Sequence, residues 1–153
     1  MNARTSINKL EQYRSDCQLR NLSISEVSVA WHVQHSLLVA NSIIKLLVKS
    51  NPQDYRASFH FKKSLLLFLK HIPRKKAKAP KIMSPDDANI LLSDIDILFD
   101  KVKDRYQQIE NLPRNAYFKH FYLGNLRKAE ALQFIAIHTQ HHIQIIEDII
   151  NSR

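Results

Sequence analysis

The chain has 153 residues, 44% of them hydrophobic, and a formal charge of +9 at pH 7 with its histidines neutral. That length supports one domain with a real core, and a single domain spanning 1–153 is expected. One glycine, Gly124, occurs in the whole sequence, which excludes Gly-rich phosphate loops, the dinucleotide fingerprint and a nucleophile elbow.

Scarce glycine and long segments of 3.6-residue periodicity predict an all-α protein, since tight hairpins usually draw on glycine turns. The segment from Thr5 to Arg20 places Ile7, Leu10 and Cys17 on one face of a first helix. A second, much longer helix is expected over 24–50, capped by Ser23 or Ser25 and stopped by Pro52. One stripe of that helix carries Ile24, Val27, Ser28, Trp31, His35, Leu38, Ser42 and Leu46. Val33, Leu37, Ile44 and Leu47 make the opposite side apolar too, and Leu37 and Ile44 are candidate outward positions for a homodimer.

Residues 55–71 read as an inserted helix with Phe61, Leu65, Leu66, Phe68 and Leu69 on a broad apolar surface. The following PRKKAKAPK, residues 73–81, reads as an exposed basic connection. Ser84-Pro85-Asp86-Asp87 has the form of a helix start, and Ala88, Leu91, Ile95, Leu98, Val102, Tyr106 and Ile109 hold the spacing of a bundle seam up to Pro113. Residues 111–125 are expected to be an irregular, aromatic-rich connection, and the last helix to run over 126–151. Four long helices near 5–20, 24–50, 84–111 and 126–151, each with a stripe to bury, predict a four-helix bundle with one inserted helix.

The last helix carries the chemistry. LQFIAIHTQHHIQIIEDII sets His138 and His142 one turn apart on the stripe that holds Ile135, Ile145, Ile146 and Ile149. Two imidazoles at that spacing can share a metal ion, and a third ligand must come from elsewhere. His35, central on the inner stripe of the second helix, is the natural candidate. Three neutral imidazoles suit zinc and leave a coordination position open, as catalytic sites do; nickel, iron and copper also accept imidazole. Thr139 stands where the metalloprotease motif places glutamate, so that general base is missing. His141, Tyr106, Tyr122 and His120 are further acid/base candidates, each weighed against a surface, core or loop-packing role. Cys17 reads as a buried structural thiol.

Four features together carry a resemblance: W-x-x-x-H from Trp31 to His35, the PRKKAKAP loop, FYLGNL before the last helix, and H-x-x-x-H from His138 to His142. On these the chain resembles the DinB-like superfamily of four-helix bundle metal proteins, in its branch of small uncharacterised bacterial domains. The resemblance implies an up-down-down-up topology and a divalent metal, usually zinc or nickel, on His35, His138 and His142. It also implies a metal-dependent transferase or hydrolase with a small-molecule substrate, a thiol-dependent S-transferase using low-molecular-weight thiols being the leading form.

Two other classes of function stay open: a non-enzymatic metal-binding or interaction bundle, and a basic bundle that binds nucleic acid. The second draws on the Lys/Arg surplus alone, because the chain shows no helix-turn-helix or aromatic-interleaved basic motif. No apolar run reaches the eighteen residues of a membrane span. The lone cysteine and the opening MNARTSINKL, which lacks a charged-then-apolar leader, make a cytoplasmic location the expectation.

Overall fold

A computed structural model describes residues 2–57, 59–74 and 83–152. Most of them are helical. In chain order the elements are α1 (Ala3–Glu11), α2 (Val29–Lys49), α3 (Phe61–Leu69), α4 (Leu92–Glu110), a hairpin of β1 (Tyr117–His120) and β2 (Gly124–Arg127), and α5 (Lys128–Asn151), with short 3-10 turns in the connections.

The helix ends follow local hydrogen bonding. Asn2 starts α1 by accepting from the Thr5 N–H at 2.9 Å. The first helix is shorter than the expected 5–20, giving way after Glu11 to turns and a 3-10 segment at Arg14–Asp16. For α2 the cap is Ser28, whose Oγ accepts from the Trp31 N–H at 3.3 Å, so neither Ser23 nor Ser25 starts the helix. The choice among three serines is tertiary: Asp87 accepts the Ser28 N–H and its hydroxyl and pairs with Arg20, which anchors the α2 N-terminus at that residue. Ser84-Pro85 does not open α4 either. Asp86 caps a 3-10 turn at Asp87–Asn89, and α4 begins only at Leu92. The inserted helix α3 ends at Lys70, which takes the left-handed conformation with φ 51°.

The connection expected to be irregular contains the hairpin. His120 pairs with Gly124 across a three-residue turn, and Gly124, at φ 69°, adopts the left-handed conformation that glycine takes without strain. The hairpin is tied to the end of α2, where Ser50 Oγ accepts from the Tyr117 N–H at 3.1 Å. It leads directly into α5, whose first turn is fixed by Glu130 accepting from the Arg127 N–H at 2.9 Å.

Residue pairs give the helix directions. Arg4 reaches Glu110 and Glu11 reaches Lys103, so α1 and α4 run antiparallel. Ser28 bonds Asp87 and Asn41 bonds Arg105, so α2 and α4 run the same way. His32 meets His142 and His35 meets His138, so α5 runs against α2. Lys9 and Tyr13 both donate to Glu147, at 2.6 and 2.7 Å, which holds α1 on α5.

The core between these helices holds Leu10, Leu37, Ile44, Leu47, Ile95, Ile109, Ile135, Ile143 and Ile146, each almost free of solvent. Burying each such side chain contributes about 1.5–3 kcal/mol. Leu37 and Ile44 are thus core residues, not outward positions for a dimer, and the buried side of α2 is the one they share with Val33 and Leu47. Leu46, expected on the inner stripe, is instead half exposed. On α3 the expected apolar surface is present but faces solvent, Phe61 and Phe68 being 68% and 82% exposed. Its one buried side chain is Lys63, which binds Glu130 and the Asn125 carbonyl, each at 3.2 Å. Among the described residues no helix is long and apolar enough to cross a membrane. The basic connection at 73–81 lies mostly outside the described residues; of it, Arg74 pairs with Asp148 at 2.6 Å.

Candidate metal centre

The first two turns of α2 and the middle of α5 cross with their histidines facing each other. On α5 the i, i+4 spacing puts His138 and His142 on one face, and on α2 the i, i+3 spacing does the same for His32 and His35. Because the two helices are antiparallel, His35 lies against His138 and His32 against His142. Ring centroids are 5.1 Å apart for His35 and His138, 4.8 Å for His35 and His142, and 4.7 Å for His138 and His142. One ring nitrogen from each of these three lies within 4.8 Å of the others, a set that could hold a metal ion. The three residues singled out from the sequence are therefore brought together.

Two of the three rings, His35 and His142, are oriented by an outer partner. His35 Nδ1 bonds the Met83 carbonyl, which can only accept, so the proton of this neutral ring sits on Nδ1 and Nε2 carries a bare lone pair. A backbone carbonyl in this position is the usual outer partner of a metal-binding imidazole. Trp31 stacks on the same ring at 4.7 Å and 16°, and its indole N–H donates to the Pro85 carbonyl at 3.0 Å. The extended stretch around Ser84 thus spends two carbonyls on the α2 side chains. That use competes with the helix start its sequence suggests.

His35 Nε2 faces His138 Nε2 at 3.3 Å. That is long for a hydrogen bond between imidazoles. It matches the separation of about 3.3–3.4 Å for two nitrogens held tetrahedrally at about 2.0–2.1 Å from one zinc ion. His138 Nδ1 is shut away from solvent with no hydrogen-bond partner among the described residues, and Phe134 packs near its ring at 5.8 Å. On the other side, His142 Nδ1 lies 2.9 Å from His32 Nδ1, which leaves Nε2 of His142 uncommitted to His32.

Burial dominates the electrostatics. Desolvation holds His138 and His142 well below the usual imidazole range, and the neighbouring histidines push the same way. Desolvation lowers His35 as well, partly offset by its bond to Met83, and brings His32 down to about 3. All four rings are accordingly neutral at pH 7. A neutral imidazole is the form that binds a metal.

The remaining candidates separate by position. His141 lies half-buried beside His142, ring centroids 5.2 Å apart, its pKa lowered by desolvation and then by Arg74 and His71. It stands at the rim of the cluster. His120 lies behind Phe134, whose ring it meets at 5.0 Å, and its charge also weighs on His138. Tyr122 is exposed, and Tyr106 packs against Arg4 on the α1 side, away from the histidines. Cys17 is buried, and desolvation pushes its thiol up to about 11, which removes it as a nucleophile near neutral pH.

His32 is the member that sequence reasoning passes over. It is 4% exposed and touches both His142 and Ser25. The signal was the H-x-x-H spacing from His32 to His35, which places a second imidazole on the His35 face one turn nearer the helix start. The Met83 carbonyl had no sequence signal, because a backbone acceptor is the same at every residue. Compared with known proteins, the chain matches no family model, no curated protein and no solved structure.

Proposed function

We propose that this chain is a metal protein of the DinB-like kind, with α1, α2, α4 and α5 as an up-down-down-up four-helix bundle and α3 as its inserted helix. In this reading His35, His138 and His142 bind one divalent metal ion, zinc or nickel, and leave coordination positions for water or substrate. The observation that carries it is the 3.3 Å approach of His35 Nε2 to His138 Nε2 between rings that burial keeps neutral. His35 Nε2 has no proton to offer, and with the His138 proton on Nδ1 both facing nitrogens are lone pairs that one cation satisfies together.

A metal ion with three imidazoles and an open position can lower the pKa of bound water or hold a thiol as thiolate. Thiol-dependent transfer on a small-molecule substrate is the enzymatic form we favour. Trp31 and Phe134 flank His35 and His138 and would form apolar walls beside the ion. The chain's own contribution is to hold three lone pairs at fixed spacing, to keep their rings unprotonated, and to exclude bulk water from the α2 and α5 side of the ion.

The test is elemental analysis of untagged protein beside His35→Ala and His142→Ala. The expected result is close to one equivalent of zinc or nickel in the wild type and a loss of nearly all of it in each variant. Equal metal content in all three overturns the site. A wild type that holds metal but shows no metal-dependent thermal shift with small thiols rejects the transferase form and leaves a metal-holding bundle.

A further inference from the structure

Between His142 Nδ1 and His32 Nδ1 there are 2.9 Å and room for one proton. Beyond His32, its Nε2 lies 2.9 Å from Ser25 Oγ, and Ser25 Oγ also accepts the Val27 N–H at 3.2 Å. A neutral imidazole has one donor and one acceptor, so placing the first proton places every other in the chain. If His32 donates, His142 carries its own proton on Nε2 and has no lone pair to turn toward His35 and His138. If His142 donates, its Nε2 is bare, His32 carries its proton on Nε2, and that proton goes to Ser25 Oγ. A hydroxyl oxygen has two lone pairs and takes the His32 and Val27 donors together.

Resting on the three-histidine metal reading above, we propose that His32 is the positioning residue of this centre: it accepts the Nδ1 proton of His142 and thereby fixes the tautomer that presents His142 Nε2 to the metal. His35 is served by the Met83 carbonyl and His142 by His32, so two of the three ligands have a dedicated acceptor behind them. An imidazole in that outer place is more than a carbonyl equivalent, because it can reverse the proton's direction. Ser25, half-buried and with a hydroxyl able to donate or accept, permits either direction, and when His142 donates its oxygen takes the protonated Nε2 of His32. Outer partners of this kind change metal affinity by about 10–100-fold when removed.

The experiment compares the wild type, His32→Leu and His32→Asn, each loaded with zinc alone and titrated against a chromophoric chelator. Leucine fills similar space without an acceptor, while the asparagine amide oxygen can stand near the place of the imidazole Nδ1. The expected result is affinity about 10–100-fold weaker for His32→Leu, and His32→Asn close to the wild type. A His32→Leu protein as tight as the wild type, or a His32→Asn protein as weak as His32→Leu, overturns the assignment. A variant that fails to fold does not protect it, because nitrogen NMR of the zinc-loaded wild type reads the same proton directly. His142 must show a protonated Nδ1 coupled through the hydrogen bond to His32 Nδ1, and a proton on His32 Nδ1 instead overturns it. A wild type that takes up no zinc is a separate outcome that removes the metal reading and this one with it.

Discussion

Nε2 of His35 and Nε2 of His138 stand 3.3 Å apart although their residues are 103 positions apart in the chain. Two helices therefore have to be packed correctly before the pair exists, and a ligand that holds the pair stabilises the packing. Binding to the folded state alone adds about 2.7 kcal/mol when free metal is 100-fold above its dissociation constant. For a chain of this size each kcal/mol moves the melting temperature by about 2–4 °C. The expected upward shift with zinc or nickel is thus about 5–10 °C, reversed by EDTA and absent in His138→Ala. A metal-independent melting curve in the wild type would sink the prediction.

Acid should act on the metal-free protein through the same rings. His32, His35, His138 and His142 all have folded-state pKa values below the ordinary 6.5, because burial opposes the charged form. The unfolded chain therefore binds protons first, so the stability these rings contribute is complete above pH 6.5. It is lost as pH falls below that, in the case of His32 down to about 3. Each ring adds up to about 1.4 kcal/mol per pH unit to the slope. Urea midpoints of EDTA-treated protein should drop steeply between pH 6.5 and 5, and less steeply in His142→Leu, where one ring no longer titrates. Flat midpoints over that window are the contrary result.

The meeting of His35, His138 and His142 was more legible in the sequence than the ends of the helices that carry them. His138 and His142 were readable because α5 keeps one apolar stripe for its whole length, and every isoleucine on the histidine face is buried as that stripe requires. His35 followed from its place on the inner stripe of the expected helix over 24–50, although with α2 starting at Val29 it lies in the second turn. His32 did not, because it shares the His35 face only at its edge, on the flank away from Trp31, and its value depends on His142 arriving from the other side of the fold. Boundaries failed for a related reason. Ser23, Ser25 and Ser28 are equivalent as caps in isolation, and what separates them is tertiary: Asp87, 59 residues beyond Ser28, and the Leu19 and Cys17 carbonyls that take the Val29 and Ala30 N–H groups. The hairpin before α5 was hidden by its brevity: four residues a strand give no run of alternation, and Gly124 alone marks the turn.

Trp31 offers an optical readout of occupancy. It is the only tryptophan, and its ring lies parallel to that of His35 at 4.7 Å. An open-shell ion bound to His35 would sit within a few ångströms of the indole, a range in which such ions quench emission efficiently. Titration with nickel or copper should therefore remove most of the fluorescence at one equivalent, and His35→Ala should abolish the saturable part. Quenching that is equal in wild type and variant would place the ion elsewhere.

The anchoring of α2 can be separated from the metal by a substitution at Asp87. This carboxylate accepts both the backbone N–H and the hydroxyl of Ser28 and pairs with Arg20, and its side chain is only 14% exposed. It also sits at the positive end of α2, where an anion is favoured. Asp87→Ala leaves the Ser28 N–H without its partner in a sheltered position, which costs about 1–3 kcal/mol. Arg14→Ala, which breaks the well-exposed pair with Asp96, is the matched control and should cost less than about 1 kcal/mol. Denaturant melts of the two variants decide the matter. Because Asp87 steadies the helix start from which His32 and His35 project, its loss should also weaken zinc binding modestly, while Arg14→Ala leaves it unchanged. Equal destabilisation by the two variants would mean that the Asp87 bonds do not fix the start of α2.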